Sequence, residues 1–278
     1  MDIIHAIIIG LVQGLTEFLP VSSSGHLVLI PHLIGFESSL VFDTVLHVGT
    51  LLAIFICFWE DIVKIIKAFF DSLSDIPKGK LVPNIRKNDY KKLAWLLIIG
   101  NIPAGIIGVL LKDYFEAAFS NVLMVGIFLL VTGGLLYFSE WIATQVEDTQ
   151  RRGMDKLTLK DSLIIGFAQA FAILPGISRS GSTIATGLTL GLKRDLVAEY
   201  SFLLSIPAVA GAALLQIKDI TSIDIGFGAL IAGFLTAAIS GYFAIKVVMN
   251  LIQNKSLKIF AYYCWIIGII SIISTIIF

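Results

Sequence analysis

Two short segments concentrate the residues of this chain that could carry chemistry. The first runs from Gln13 through Glu17 and a run of serines to His26, and the second surrounds Arg179. A carboxylate, an imidazole, a guanidinium and several hydroxyls are the groups that bind a phosphate and transfer it. Pro and Gly interrupt both segments next to the serines, which is typical of loops. The two segments therefore predict a site for a phosphate-bearing ligand.

The acid–base residues lie in the first segment. Gln13 and Glu17 are four residues apart, so on a helix their side chains lie on the same face. A carboxylate beside bound phosphates suits a divalent-cation ligand or a general base. His26 can transfer a proton or act as a nucleophile at neutral pH, and Ser23 can attack if His26 or Glu17 activates it. The spacing leaves the identity of the nucleophile open between Ser23 and His26.

The hydroxyl groups and Arg179 are predicted to form a cradle for phosphate oxygens. A guanidinium can bind two oxygens at once, and a helix that begins after each loop offers free backbone N–H groups. The residues predicted to contact the substrate are Gln13, Ser22, Ser24, Ser178, Ser180 and Thr183. As structural alternatives, single hydroxyls can bond backbone carbonyls, and Glu17 with Arg179 can form an ion pair that only holds the fold together. Three other histidines lie outside both loops and are interpreted as structural, namely His5, His32 and His47.

The composition places these residues in a membrane protein. The chain has 278 residues, of which 57% are hydrophobic and 14% charged, and its mean hydropathy is +0.92. Six apolar stretches approach the ~20 residues that a helix needs to cross a bilayer. They are Leu40–Trp59, Leu93–Leu111, Val122–Trp141, Leu196–Ile217, Ile225–Met249 and Ile259–Phe278. The chain is therefore predicted to be an all-α polytopic membrane protein with six transmembrane helices.

The two candidate segments lie in apolar stretches of a different kind, Ile3–Phe36 and Leu163–Leu192, which a loop breaks near the middle. Each stretch predicts a re-entrant hairpin of two half-length helices. A shift of 156 positions aligns the stretches without a gap, and the matched pairs include Gly10 and Gly166, Gln13 and Gln169, and Ser22 and Ser178. An internal repeat explains this match. The predicted repeats cover 1–141 and 160–278, joined by a cytoplasmic linker at 142–160, in a single membrane domain over 1–278.

The repeats are predicted to be inverted, because each contains one hairpin followed by three spans, which is an odd number of crossings. With this topology nearly all Lys and Arg lie on the cytoplasmic side, as the positive-inside rule requires. The exceptions are Lys112 and Lys218 on the outer side and Arg179 at membrane depth. The two loops then meet inside the protein and form one site. No nucleic-acid partner is predicted.

With these motifs the chain resembles the undecaprenyl-diphosphate phosphatases, the bacitracin-resistance family. The resemblance rests on QGLTEFLPVSSSGH at 13–26 and PGISRSGST at 175–183, and it extends over nearly the whole chain. It implies a multi-pass enzyme of the bacterial inner (plasma) membrane that removes the terminal phosphate of undecaprenyl diphosphate with a divalent cation, Mg²⁺ or Ca²⁺. The product is the carrier lipid of cell-wall synthesis. Bacitracin resistance is also implied, since that antibiotic sequesters the substrate.

The resemblance further implies roles for individual residues. Those that correspond to residues needed for activity are Glu17, His26 and Arg179. Ser23 corresponds to a proposed nucleophile, and Ser178 and Thr183 correspond to phosphate contacts. Many members carry Glu where this chain has Gln13. That substitution removes one negative ligand, so Glu17 is expected to carry more of the metal binding.

A polyprenyl-phosphate transporter or flippase is the alternative function, because inverted repeats with broken helices at the midplane are also a transporter architecture. The predicted partners are the polyprenyl diphosphate substrate and membrane lipids. The oligomeric state, with a homodimer as one option, is left open. The leaflet that the site faces and the chain length of the lipid are also left open.

Overall fold

The computed structural model describes residues 1–35, 39–119, 121–216, 225–254 and 256–277. Within these ranges the chain is helical and contains no strand. The helices are α1 (Ile3–Phe18), α2 (Ser23–Ile34), α3 (Leu40–Cys57), α4 (Trp59–Leu73), α5 (Leu81–Lys87), α6 (Asp89–Leu110), α7 (Lys112–Ala118), α8 (Val122–Ala143), α9 (Leu159–Phe171), α10 (Arg179–Thr189), α11 (Arg194–Gln216), α12 (Phe227–Asn254) and α13 (Lys258–Ile277). Four residues named in the sequence predictions lie outside the described ranges. They are Lys218 and the last residues of three predicted stretches, Phe36, Ile217 and Phe278.

Six of the described helices, α3, α6, α8, α11, α12 and α13, are long and apolar enough to cross a bilayer. They confirm the predicted all-α membrane protein with six spans. The first span is shorter than predicted, since α3 ends at Cys57 and Trp59 begins the separate helix α4. Glu60 and Asp61 lie in the first turn of α4, where carboxylates stabilise the positive end of the helix dipole.

The two broken stretches each form a pair of shorter helices, α1 with α2 and α9 with α10. With its 16 residues, α1 is about 24 Å long, less than the ~30 Å of a bilayer's apolar core. A serine caps each second helix. Ser22 Oγ accepts a hydrogen bond from the Gly25 backbone N–H at 3.2 Å, and Ser178 Oγ accepts one from Gly181 at 3.0 Å. The re-entrant course of these pairs through the bilayer stays a prediction.

The loops inside the two pairs lie against each other. Ser180 Oγ donates a hydrogen bond to the Leu19 carbonyl oxygen at 3.0 Å, which joins the second loop to the first. From α8, Thr132 Oγ1 donates to the Gly176 carbonyl at 2.9 Å. Gly176 has a φ of +97°, a conformation that suits glycine because it has no Cβ. The two loops are therefore held together by hydrogen bonds and by a neighbouring span.

Close helix crossings bring the loops into place. Helix α1 packs along α12, and α9 packs along α6. A Cβ added to Gly10 would lie 2.5 Å from the Gly233 carbonyl oxygen, and one added to Gly166 would lie 2.2 Å from that of Gly100. Both crossings bring backbones together in the way that glycine permits in membrane helices. Gly10 and Gly166 are matched by the shift of 156 positions, although the repeat boundaries themselves stay a prediction.

The Gly166 crossing gives a stability prediction. In the variant Gly166→Ala the new methyl group meets the backbone oxygen of Gly100, which can move only if α6 and α9 separate. We expect the free energy of unfolding to fall by about 1–3 kcal/mol, measured by thermal or denaturant unfolding in detergent. Gly105→Ala is the matched control. Gly105 lies in α6, as Gly100 does, but its Cβ would meet open space. An unchanged unfolding transition in Gly166→Ala would contradict the crossing.

Candidate active site

Glu17 is the buried residue around which the site is arranged. It lies in the last turn of α1, and three neighbours hold its carboxylate. Arg179 Nη2 donates a hydrogen bond to Oε1. Gln13 Nε2 donates to Oε2 at 2.9 Å, and Ser23 Oγ donates to the same oxygen at 2.6 Å. One carboxylate therefore joins the first helix pair to the second.

Arg179 begins α10 and keeps hydrogen-bonding capacity beyond its contact with Glu17. Its Nη1 donates to the Ser201 carbonyl oxygen of α11 at 3.2 Å. A guanidinium carries five N–H donors, and the others find no acceptor among the described residues. Thr183, predicted to contact phosphate, has its Oγ1 at 2.6 Å from Ser201 Oγ instead. Arg179 can therefore bind an anion directly, whereas the Thr183 hydroxyl faces α11.

Ser23 has the geometry of an activated nucleophile. It is the first residue of α2 and is half-buried. Its O–H points at Glu17 Oε2, a group that can take the proton. The N-terminus of α2 also places partial positive charge next to this oxygen. Of the two candidate nucleophiles, Ser23 is the one that contacts the Glu17 carboxylate.

His26 points away from the Glu17–Ser23 pair. Its Nδ1 lies 2.7 Å from the Ser22 carbonyl oxygen, which can only accept, so this nitrogen carries the hydrogen. In the neutral ring Nε2 is then an acceptor, and the Tyr263 hydroxyl donates to it at 2.8 Å. The planes of the two rings are within 11° of parallel. Tyr263, on α13, is a site residue that the sequence analysis missed.

The remaining serines of the predicted cradle lie around the two loops. Ser22 Oγ and Ser24 Oγ are 3.2 Å apart, and Ser178 Oγ and Ser180 Oγ are 3.3 Å apart. Both loops thus repeat one arrangement, in which the capping serine contacts the hydroxyl two residues later. These contacts correspond to the structural alternative for single hydroxyls. A role of these four residues in substrate binding stays a prediction.

His47 is a second residue near the site that the sequence did not indicate. Its Nε2 lies 3.6 Å from Glu17 Oε2, and its Nδ1 is 2.7 Å from the Asp43 carbonyl oxygen. Because His47 falls within an apolar span rather than a polar break, the sequence predicts only a structural role for it. Only the packing of α3 beside α1 brings it to the carboxylate.

The described residues offer a partial ligand set for a divalent cation. No group of three or more His, Cys, Asp or Glu side chains among them could hold a metal on its own. Gln13 Oε1, however, is buried and has no hydrogen-bond partner in the described part of the chain, and its amide contacts Glu17. One carboxylate and one amide oxygen fit a cation whose other ligands are substrate phosphates and water.

Comparisons with known proteins identify the family of the chain. The family described as bacitracin resistance protein BacA matches residues 6–270. An undecaprenyl-diphosphatase of Methanosphaera stadtmanae is 53% identical over 100% of this chain and 99% of its own length. Those of Methanobrevibacter smithii and Halothermothrix orenii are 50% and 44% identical, over 97% and 98% of this chain and 96% and 98% of their own lengths. The chain belongs to the BacA family of bacitracin resistance proteins, as a multi-pass protein of the inner membrane.

Proposed function

We propose that this protein is an undecaprenyl-diphosphate phosphatase, which hydrolyses the lipid diphosphate to undecaprenyl phosphate and inorganic phosphate. The observation that carries the proposal is the contact of Ser23 and Arg179 with one buried carboxylate, Glu17. The names of full-length relatives support the substrate. Recycling of the carrier lipid would confer bacitracin resistance. Homodimerisation stays an open prediction.

In the proposed reaction Ser23 is the nucleophile and Glu17 is the general base. The Ser23 proton passes to Glu17 as Oγ attacks the terminal phosphorus. The bond from that phosphorus to the bridging oxygen breaks, and the lipid monophosphate leaves with the proton from Glu17. Water, with His26 as the proton carrier, then hydrolyses the phosphoserine, releases inorganic phosphate and restores the Ser23 hydroxyl. Arg179 binds the phosphate oxygens through its remaining donors.

We further propose that Glu17 and Gln13 Oε1 hold a divalent cation together with the substrate phosphates. The buried amide oxygen without a partner supports this set of ligands. A bound cation would neutralise phosphate charge and polarise the phosphoryl oxygens. The transporter alternative rested on the inverted-repeat architecture alone, and none of the named relatives supports it.

The variant Arg179→Lys tests the site. It keeps the positive charge beside Glu17 but loses the planar donor fork, so we expect phosphate release to fall on the order of 100-fold while the protein stays folded. The measurement is phosphate release from undecaprenyl diphosphate by purified protein in detergent, with Mg²⁺, with Ca²⁺ and after chelation. Arg194→Lys is the matched control, since Arg194 also pairs with a buried glutamate, Glu140, away from the loops.

Full activity of Arg179→Lys would reject the phosphate-binding role of Arg179. Activity that survives complete chelation would reject the cation. If the wild-type protein releases no phosphate with either cation, the transporter alternative is favoured.

Substitutions of Ser23 and His26 identify the nucleophile. We expect Ser23→Ala to abolish turnover because no other hydroxyl in the described residues contacts the Glu17 carboxylate. His26→Gln should slow turnover yet still form a phosphoenzyme, which rapid acid quenching and mass spectrometry detect as phosphoserine at Ser23. If Ser23→Ala keeps most of its activity while His26→Gln is inactive, the serine mechanism is wrong.

Tyr263 is expected to act as a positioning residue for His26. Removing its hydroxyl in Tyr263→Phe frees Nε2 and should lower kcat roughly tenfold with little change in KM, as expected for partial loss of a positioned proton carrier. NMR of nitrogen-labelled histidine should show a shifted His26 Nε2 signal, because this nitrogen loses its hydrogen-bond donor while the Ser22 carbonyl still holds the hydrogen on Nδ1. Tyr262→Phe is the control, because Tyr262 packs against Tyr137 and Trp265 instead. Equal kinetics and unchanged histidine signals in both variants would exclude this role.

A further inference from the structure

Helix α4 exposes an apolar stripe that no described part of the chain covers. Its large exposed members are Trp59, Ile66, Phe70 and Leu73, which are 60%, 48%, 65% and 36% exposed. Their separations of seven, four and three residues place them on one side of a helix. Contiguous exposed apolar side chains of this size mark an interaction surface.

The opposite side of α4 is fixed on α6. Ile62 is buried, Trp95 Nε1 donates to Ser72 Oγ at 3.0 Å, and the Phe69 and Trp95 rings lie 5.5 Å apart. The apolar stripe therefore cannot turn inward. Because α4 follows the end of span α3 and packs near the start of span α6, it lies at the membrane surface, on the side that the positive-inside rule assigns to the cytoplasm.

Three acidic side chains around α4 have basic partners within the protein. Asp71 and Asp75 both contact Lys91 Nζ, at 2.6 and 2.7 Å. The hydrogen bond from Lys91 lowers the pKa of Asp75, so this carboxylate stays ionised and paired. Asp61 accepts a hydrogen bond from Tyr90 and lies 3.8 Å from Lys64. Two carboxylates thus share Lys91, and over residues 60–92 eight Lys and Arg outnumber five Asp and Glu.

The basic side chains next to the stripe, by contrast, have no such partners. They are Lys67, Lys78, Lys80, Arg86 and Lys87, all exposed and without an ion pair to any described residue. A helix with one apolar side and flanking basic residues is the type that lies in the membrane interface and attracts anionic headgroups. The unbalanced charge of this region is therefore positive.

We propose that the α4–α5 surface, consisting of the apolar stripe and these five basic residues, binds anionic phospholipid headgroups of the cytoplasmic leaflet. The stripe inserts at the boundary of headgroups and acyl chains, and the basic side chains select phosphatidylglycerol-type headgroups over zwitterionic ones. This lipid site is separate from the Glu17–Arg179 site and does not depend on the reaction. It holds the cytoplasmic ends of α3 and α6 at a fixed depth in the membrane.

The test uses the full-length protein in nanodiscs and the fluorescence of Trp59. Nanodiscs contain acyl-brominated phosphatidylglycerol or acyl-brominated phosphatidylcholine at equal mole fraction, in otherwise identical zwitterionic lipid. The difference between the wild type and Trp59→Phe isolates the Trp59 signal. At this equal mole fraction we expect brominated phosphatidylglycerol to quench the Trp59 signal several-fold more strongly than brominated phosphatidylcholine.

Two triple variants remove the same number of positive charges, one from the α4–α5 surface and one from elsewhere on the protein. The variant with Lys67→Gln, Lys80→Gln and Lys87→Gln should lose the preference for phosphatidylglycerol. The variant with Lys156→Gln, Lys160→Gln and Lys193→Gln, which removes three exposed lysines elsewhere, should keep it. Equal quenching by the two lipids would overturn the proposal. Quenching by neither lipid would also overturn it, because the stripe would then be covered by protein.

Discussion

A buried ion pair between distant parts of the chain is the constraint on which the rest of the structure depends. Glu17 and Arg179 are 162 residues apart in sequence, and their charges lie among apolar helices. An uncompensated charge at such a place costs on the order of 3 kcal/mol or more. The two loops must therefore approach to hydrogen-bonding distance. Glycine at Gly10 and Gly166 lets the supporting helices come close enough for this contact.

The same contact connects stability with chemistry. In the protein alone, the guanidinium of Arg179 compensates the carboxylate of Glu17, which also accepts the Ser23 hydroxyl. In the proposed reaction, a phosphate bound to the remaining donors of Arg179 would share the guanidinium with Glu17 and leave the carboxylate freer to take the Ser23 proton. The structural and functional interpretations of the ion pair are therefore compatible. An ion pair such as Glu17–Arg179, whose guanidinium a ligand can also bind, suits a site that binds and releases ligands.

The sequence predicted the site residues that are charged but lie within apolar stretches. Glu17 and Arg179 were recognisable because ionisable side chains are rare in apolar stretches, and the six spans followed from hydropathy. His47 and Tyr263 could not be predicted in this way. Both lie within continuous helices. His47 reaches the site because α3 packs against α1, and Tyr263 because α13, which packs along α8, brings it to His26. The short helix α4 was also missed as an element, since its charged residues suggested only a hydrophilic connection.

The crossed packing of the helices also limits how the protein can move. Helix α1 of the first half packs on α12 of the second, while α9 of the second half packs on α6 of the first, and in both crossings backbone meets backbone. Rotating one half as a rigid body would pull both crossings apart at once. In this respect the two crossings hold the two halves in one arrangement and oppose a rocking motion of one half against the other. In the proposed function, the lipid substrate would then reach a stationary site by lateral diffusion in the membrane.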